Sequence, residues 1–284
     1  MIFEHEIPAG SRLYFGSSAK LKREIEKRAS EILAENGFEE ISTPLFSHHQ
    51  HISVRDPKEL IRVADPQNRE VTLRADSTID VVRLVTKRLG RSTDQKRWFY
   101  IQPVYRYPTQ ELNQIGAECI DGTLDEMLGV MMELFDALEV DALLQVSNIQ
   151  IPVLISTHFK IPLEWFSTMQ VEKLLGTEYK WLAKLAKVHT IEDLASAIDA
   201  VPDILRPELE KIHGLIERCS DRRCVVAPLF YAKMRYYDGL FFNCFKDNTQ
   251  LASGGHFVNE DITAAGFALY TDALIEAKRK GTDG

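Results

Sequence analysis

Residues 99–122 contain the side chains of this sequence that are best placed to bind a small charged molecule. Two apolar stretches flank a polar, proline-containing segment, a pattern typical of two neighbouring strands. A strand has a period of two, so Gln114 and Glu118 are predicted to share one face of the second strand. Between them lies Gly116, where a ligand could approach the backbone. With the guanidinium of Arg106, this amide and this carboxylate suit a zwitterion such as an amino acid.

A second segment with suitable chemistry is the sequence LRADSTIDVVR at residues 73–83. Asp76 can pair with an ammonium group, and the hydroxyl of Thr78 can add a second acceptor. The same two residue types are also common where a helix begins, so the segment alone leaves both interpretations open. In this order, residues 73–83 and 99–122 resemble the amino-group turn and motif 2 of the histidyl-tRNA synthetase group of class II aminoacyl-tRNA synthetases.

This resemblance implies roles for individual residues. Asp76 and Thr78 match the acid and threonine that contact the amino group of the amino acid, whereas Arg106 is the motif 2 arginine. Gln114 and Glu118 match the glutamine and glutamate of the second motif 2 strand.

The sequence AKMRYYDGLFFNCF at residues 232–245 resembles the histidine-specific stretch of the same family. Tyr236 and Tyr237 match the tyrosine pair that lines the pocket for the imidazole ring. A tyrosine offers an apolar wall and a hydroxyl for a ring nitrogen. Aromatic residues in a strand are also often plain sheet surface or core, which is the alternative here.

Three positions depart from the family at the groups that handle ATP. The motif 2 glutamate that holds ATP is Pro108, and the arginine that assists activation is Ala232. The motif 3 arginine, which stacks on adenine and neutralises phosphate, is Ala273. Alanine has neither charge nor a planar cation, so neither catalytic residues nor a cofactor are predicted.

The elements around these motifs indicate an α+β fold. Helical periodicity at 17–36 ends at Gly37, before a short strand and a proline, and resembles motif 1. The resemblance implies a class II synthetase-like catalytic core, with a mainly antiparallel sheet flanked by helices. We expect one domain over 1–284, a helical insertion at 151–224 and no anticodon-binding domain. Motif 1 further implies a homodimer formed through residues 17–44.

Composition excludes several function classes. The chain has 284 residues and a net charge of -8, which disfavours a nucleic-acid partner. No secretory signal or membrane-length apolar run is present, which favours a cytoplasmic protein without a membrane partner. The four cysteines form no C-x-x-C pair and are predicted to be free thiols. The SHHQH run at 47–51 lacks spaced acidic or cysteine partners, so no metal site is predicted.

The amino-acid positions are retained and the ATP positions are replaced, a combination that resembles the regulatory-subunit family of ATP phosphoribosyltransferase. That resemblance implies a non-catalytic subunit in a hetero-oligomer with the short-form catalytic subunit, in the first step of histidine biosynthesis. It also implies that the subunit is needed for activity and mediates allosteric feedback by histidine. Two alternatives remain open at this point: a truncated synthetase-like enzyme that activates an amino acid with ATP, and a scaffold whose pocket binds nothing.

Overall fold

The computed structural model describes residues 6–54, 56–218, 223–231, 237–259 and 262–282. These residues form two compact units. The first contains the described residues up to 141 and those from 259 onward, and the second contains those of 142–231 and 237–258. The expectation of a single domain over 1–284 stays a prediction.

The described residues of the first unit form strands of two sheets, five α-helices and two irregular helical segments. The elements of this unit are α1 (Gly16–Glu35), β1 (Glu39–Glu40), β2 (Phe46–Ser47), α2 (Gln50–Ser53), a 3-10 turn (Pro57–Glu59), β3 (Arg62–Ala64), β4 (Glu70–Leu73), α3 (Thr78–Arg83), a π turn (Leu84–Leu89), β5 (Arg97–Arg106), β6 (Gln110–Ile120), α4 (Leu124–Ala137), β11 (Ile262–Tyr270) and α11 (Thr271–Thr282). The strands of one sheet have the order β1-β5-β6-β11 and are antiparallel except between β1 and β5. The second sheet has the order β2-β4-β3, and α1, α4 and α11 pack on one another beside the larger sheet.

Helix α1 confirms the predicted helix and its end. Its buried stripe includes Ile25, Ala29 and Ile32, which recur at helical spacing. The helix begins one residue earlier than predicted, because the backbone N–H of Phe15 donates to the hydroxyl of Ser18. Gly37 ends it with a φ of +79°, a left-handed conformation in which a side chain would be strained.

The second unit combines the sheet β10-β9-β7-β8 with a run of helices. Its elements are β7 (Leu143–Asn148), α5 (Gln150–Phe159), α6 (Leu163–Ser167), α7 (Val171–Leu175), α8 (Lys180–Leu185), α9 (Ile191–Ile198), a 3-10 turn (Asp203–Leu205), α10 (Arg206–Glu217), β8 (Cys224–Val226), β9 (Tyr237–Lys246) and β10 (Thr249–Asn259). The strand-like composition extends over 225–231, but β8 ends at Val226 and the chain turns at Pro228 and Leu229. Proline has no N–H to donate to a ladder. Helices thus fill the sequence between β7 and β8.

Two further sequence expectations can be compared with this structure. Cys119, Cys224 and Cys244 are free thiols, as predicted, whereas Cys219 lies outside the described residues. Within the described part of the chain, no helix combines the length and apolarity that crossing a membrane requires.

Candidate functional site

Glu118 lies at the centre of a buried polar group in the first unit. Its side chain is 0% exposed, and its Oε1 accepts a hydrogen bond of 2.7 Å from the hydroxyl of Thr78. The hydroxyl of Tyr100 donates to the same oxygen over 3.4 Å. Oε2 has no hydrogen-bond partner among the described residues. We call Glu118, Thr78 and Tyr100 the Glu118 cluster; it leaves one carboxylate oxygen available to accept from a bound molecule.

Two glycines create the space that the Glu118 cluster fills. Gly116 lies opposite Tyr100 in the β5–β6 register, and a Cβ there would come within 2.6 Å of Cε2 of the tyrosine ring. Gly266 lies opposite Glu118 in the β6–β11 register, and a Cβ there would come within 2.7 Å of the Glu118 Cδ. The expectation that Gly116 leaves room for a ligand is therefore wrong, because the ring of Tyr100 covers it.

Burial controls the electrostatics of the Glu118 cluster. It raises the pKa of Glu118 well above its usual range, because a charged carboxylate loses its hydration there. The hydroxyl of Thr78 opposes this shift, and the negative charge of Asp76 adds to it. Burial also raises the pKa of Tyr100, with smaller contributions from Glu118 and Asp76. A ligand with an N–H donor would supply the missing hydrogen bond, and a positive charge on that ligand would favour the charged form of Glu118.

Asp76 is held in place by Gln50, a residue that sequence analysis did not single out. The Gln50 Oε1 accepts from the backbone N–H groups of Ala75 and Asp76, at 2.8 and 2.7 Å. Its Nε2 donates to the Asp76 carbonyl at 2.9 Å and to the Asp80 carboxylate at 2.7 Å. One amide side chain thus satisfies three backbone groups of Ala75 and Asp76, which lie in the turn before α3. We call this segment the Asp76 turn. No sequence signal indicates this role, because Gln50 belongs to a polar run that reads as a loop.

Arg74 anchors the same turn from the other side. It is 4% exposed, and its guanidinium donates to the carbonyls of Thr43 at 2.8 Å, Pro44 at 3.2 Å and Pro103 at 2.8 Å. Gln102 adds hydrogen bonds from its Nε2 to the hydroxyls of Thr43 and Ser77, at 3.0 and 2.9 Å. Because these partners come from separate segments, the turn before α3 is fixed relative to β5.

The remaining predicted residues of the first unit lie on the same two strands. Gln114 is 6% exposed and precedes Glu118 by four residues on β6, so both share the predicted face. Arg106 lies at the end of β5, where its Nε donates to the Ala75 carbonyl at 3.4 Å. Its Nη1 is 3.9 Å from the Glu59 carboxylate. The structure therefore brings Thr78 and Glu118 into contact and connects Arg106 to the Asp76 turn through Ala75.

Tyr237 belongs to the second unit, and Tyr236 lies outside the described residues. The Tyr237 ring stacks on Phe241, with centroids 5.7 Å apart and planes inclined by 12°. Gly255 makes room for it, since a Cβ there would come within 2.5 Å of the tyrosine Cδ1. The ring is thus fixed at the start of β9, whereas its role towards a ligand stays a prediction.

The positions that replace the family's ATP contacts have a distinct environment. Pro108 is exposed in the turn between β5 and β6, and Ala273 lies in the first turn of α11. Beside Ala273, the buried carboxylate of Asp272 accepts from the backbone N–H of Asn113 at 3.0 Å and from the hydroxyl of Tyr14. Asp272 is thus held by contacts with two other segments, and Ala273 adds no charge at the position where the family has a cation. Ala232 lies outside the described residues.

The histidine-rich run 47–51 contains the side chains that most resemble metal ligands. His48 and His49 are exposed, with ring centroids 6.4 Å apart. Across the described ranges, no group of three or more His, Cys, Asp or Glu side chains is arranged to hold a metal ion.

Comparison with known proteins identifies the family. The histidyl-tRNA synthetase family model matches residues 14–274. The ATP phosphoribosyltransferase regulatory subunit of Wolinella succinogenes is 48% identical, over 100% of this chain and 99% of its own length. The ATP phosphoribosyltransferase regulatory subunit of Helicobacter hepaticus is 40% identical, over 97% of this chain and 99% of its own length.

The fold comparison agrees. The crystal structure of an ATP phosphoribosyltransferase regulatory subunit/histidyl-tRNA synthetase from Bacillus halodurans superposes with a TM-score of 0.86. It covers 98% of this chain and 84% of that one at 20% identity, which shows the fold alone. The predicted class II synthetase-like core is thereby confirmed. The chain belongs to the histidyl-tRNA synthetase-like family and, within it, to the ATP phosphoribosyltransferase regulatory subunits.

Proposed function

We propose that the first unit of this chain binds free histidine through the Glu118 cluster, with Asp76, Gln114 and Arg106 contributing. The observation that carries the proposal is the Oε2 of Glu118, which is fully buried and has no hydrogen-bond partner among the described residues. An unsatisfied buried carboxylate oxygen costs free energy that a ligand donor would recover. The assignment of Tyr236 and Tyr237 to the ring of the ligand stays a prediction.

Histidine fits the charge and hydrogen-bonding needs of these residues. It carries an ammonium group and imidazole nitrogens, and either can donate an N–H to a carboxylate. Asp76 and Glu118 supply two acidic groups close enough that the charge of one raises the pKa of the other. The α-carboxylate of the ligand would need a cation, and Arg106 is the arginine attached to the same turn.

The surroundings of Ala273 support sensing over activation of the amino acid. An adenylation site must stabilise the phosphates of ATP, which requires cations or metal ions. Here the position of the motif 3 arginine holds Ala273, which has no charge, and the neighbouring carboxylate of Asp272 is held by Tyr14 and Asn113.

Regulation would then be exerted on a partner protein. The two curated relatives are named as regulatory subunits of ATP phosphoribosyltransferase. We infer that a homodimer of this chain assembles in the cytoplasm with the short-form catalytic subunit, which catalyses the first step of histidine biosynthesis. Feedback by histidine requires that the ligand bind two states of the complex with different affinities.

The test is reconstitution of the phosphoribosyltransferase reaction. The catalytic subunit is assayed alone, with this chain, and with the Glu118→Ala variant, each over a titration of histidine. The exposed Glu210→Ala variant is the matched control. We expect this chain and both variants to support activity, and Glu118→Ala alone to lose histidine inhibition and calorimetric histidine binding. No activation of the catalytic subunit would refute the regulatory role, and full inhibition of Glu118→Ala would remove Glu118 from the histidine site.

A second assay separates sensing from enzymatic activation. In pyrophosphate exchange, an enzyme that adenylates histidine forms labelled ATP from labelled pyrophosphate. We expect no histidine-dependent exchange above the blank. Exchange that depends on histidine would show that this chain is an amino-acid-activating enzyme.

A further inference from the structure

We propose that a basic cavity in the first unit binds a small anion that carries two or more phosphate groups. The cavity has a volume of about 290 Å³, at the small end of ligand pockets. Arg83, Lys87 and Arg88 line it from one side, and His48 and His49 line it from another segment. We call it the basic cavity. None of these residues belongs to the Glu118 cluster.

All three cations line the basic cavity, and two of them lie in a π turn. In an α-helix, residues five apart are separated by about 140° around the axis, so Arg83 and Arg88 would point apart. From Leu84 to Leu89 the chain forms a π turn, whose i to i+5 bonding brings residues five apart closer together around the axis. Arg83 directly precedes this turn. Such turns are rare and are frequently found at functional sites.

The acidic group in the wall of the basic cavity is already committed. Of the described residues that line it, Asp80 alone is a carboxylate. Its Oδ1 accepts from the hydroxyl of Ser47 at 2.9 Å, and its Oδ2 accepts from Gln50 at 2.7 Å. Burial raises the pKa of Asp80, and the hydrogen bonds from Ser47 and Gln50 oppose this shift. Its two oxygens are thus directed into the fold, where they help to position the Asp76 turn.

The pKa of His49 indicates that the positive charge of Arg83 reaches the histidines that line the basic cavity. The pKa of His49 is lowered, first by burial and then by the positive charge of Arg83, with Asp80 opposing and His51 and His48 adding to the shift. A helix C-terminus attracts cations by itself, which is enough to account for Lys87 and Arg88 in the last turn. It does not account for two imidazoles from another segment on the opposite wall.

These features favour a compact phosphate anion over other ligands. Guanidinium groups donate in pairs to phosphate oxygens, and imidazole and ammonium groups add single donors. Five such groups around a small cavity exceed what one monovalent anion can use. A long polyanion such as nucleic acid is disfavoured by the net charge of -8. Inorganic pyrophosphate and a nucleoside diphosphate share the required chemistry.

The experiment is calorimetric titration of the full chain with pyrophosphate and, separately, with a nucleoside diphosphate, at fixed ionic strength. The test variant is Lys87→Ala/Arg88→Ala, which truncates two exposed side chains. The matched control is Lys180→Ala/Lys187→Ala, which removes the same charge at exposed positions of the second unit. We expect binding to the wild type and the control, and at least roughly tenfold weaker binding to the test variant.

The two titrants identify the source of the phosphate. Equal affinity for both would show that the phosphates alone are recognised, and tighter binding of the nucleotide would add a contact to its base. Either result supports the proposal if the test variant loses the binding. The proposal would be overturned if the wild type showed no binding up to roughly millimolar ligand, with the ligand in about tenfold excess over the protein. If binding to the control variant were weakened as much as binding to the test variant, the effect would be one of net charge and the proposal would likewise be overturned.

Discussion

Replacement of Glu118 by glutamine tests the physical description of the site before any ligand is added. Glutamine keeps the size of the side chain and an oxygen that can accept from Thr78, but it removes the ionisable group. The folded protein binds the proton of Glu118 more tightly than the unfolded chain, in which glutamate titrates near 4.5. Unfolding therefore releases a proton above that pH.

The sign of the pH effect follows from this difference. Because the folded pKa is raised, wild-type stability falls as pH rises from about 4.5 through the folded pKa of Glu118. Every interval of one pH unit between the two pKa values costs the wild type about 1.4 kcal/mol. The variant loses this slope but keeps that of Asp80, whose pKa is raised in both proteins. The difference between the two proteins therefore isolates Glu118.

The measurement is scanning calorimetry of both proteins from pH 5 to pH 8 without histidine, at constant ionic strength. Between pH 5 and pH 7 we expect the stability difference to shift towards the variant by about 1.4 kcal/mol, or about 3–6 °C in Tm, for each pH unit that lies below the folded pKa of Glu118. The exposed Glu210→Gln should follow the wild type. Parallel curves for wild type and Glu118→Gln would refute the reasoning, because a carboxylate that stays charged in the fold gives no such divergence.

Three further substitutions test the neighbours of Glu118. Gly266→Ala should displace the carboxylate, lower stability by about 1–3 kcal/mol and weaken histidine binding in calorimetry; retained binding would contradict the overlap. Gly116→Ala should cost a similar amount in urea unfolding, but far less in a Tyr100→Ala background, and additive costs would show that the ring is not the obstacle. Thr78→Val should lower the free energy of unfolding by about 1–3 kcal/mol. It should also extend the pH range over which stability falls, because the Thr78 hydroxyl lowers the pKa of Glu118, and an unchanged pH profile would disprove that role.

Periodicity and motif order made much of the fold predictable. The spacing of Ile25, Ile32 and Leu33 predicts one buried face of α1, and Gly37 predicts its end, because both signals are local. The alternation of Gln114 and Glu118 likewise predicts their shared face on β6. The division into two compact units was not predictable in this way, because it depends on packing between distant parts of the chain.

The contacts that hold the site were the least predictable part. Gln50 stabilises the Asp76 turn from 26 residues away, and an amide in a polar run carries no sign of such a partner. Tyr100 reads from the sequence as an ordinary aromatic of an apolar strand. Its position over Gly116 appears only when the register of β5 and β6 is known. Side chains that act across strands or between segments therefore require the structure.

Gly116 and Gly266 show why a correct motif can still be misinterpreted physically. A glycine in a strand indicates a close approach, but the sequence does not say by which group. At Gly116 the approaching group is the protein's own Tyr100, and at Gly266 it is Glu118. Both glycines thus let a large side chain lie flat against a neighbouring strand, which buries the carboxylate and raises its pKa. The unsatisfied Oε2 of Glu118, on which the histidine proposal rests, lies against Gly266, where a Cβ would leave no room for it.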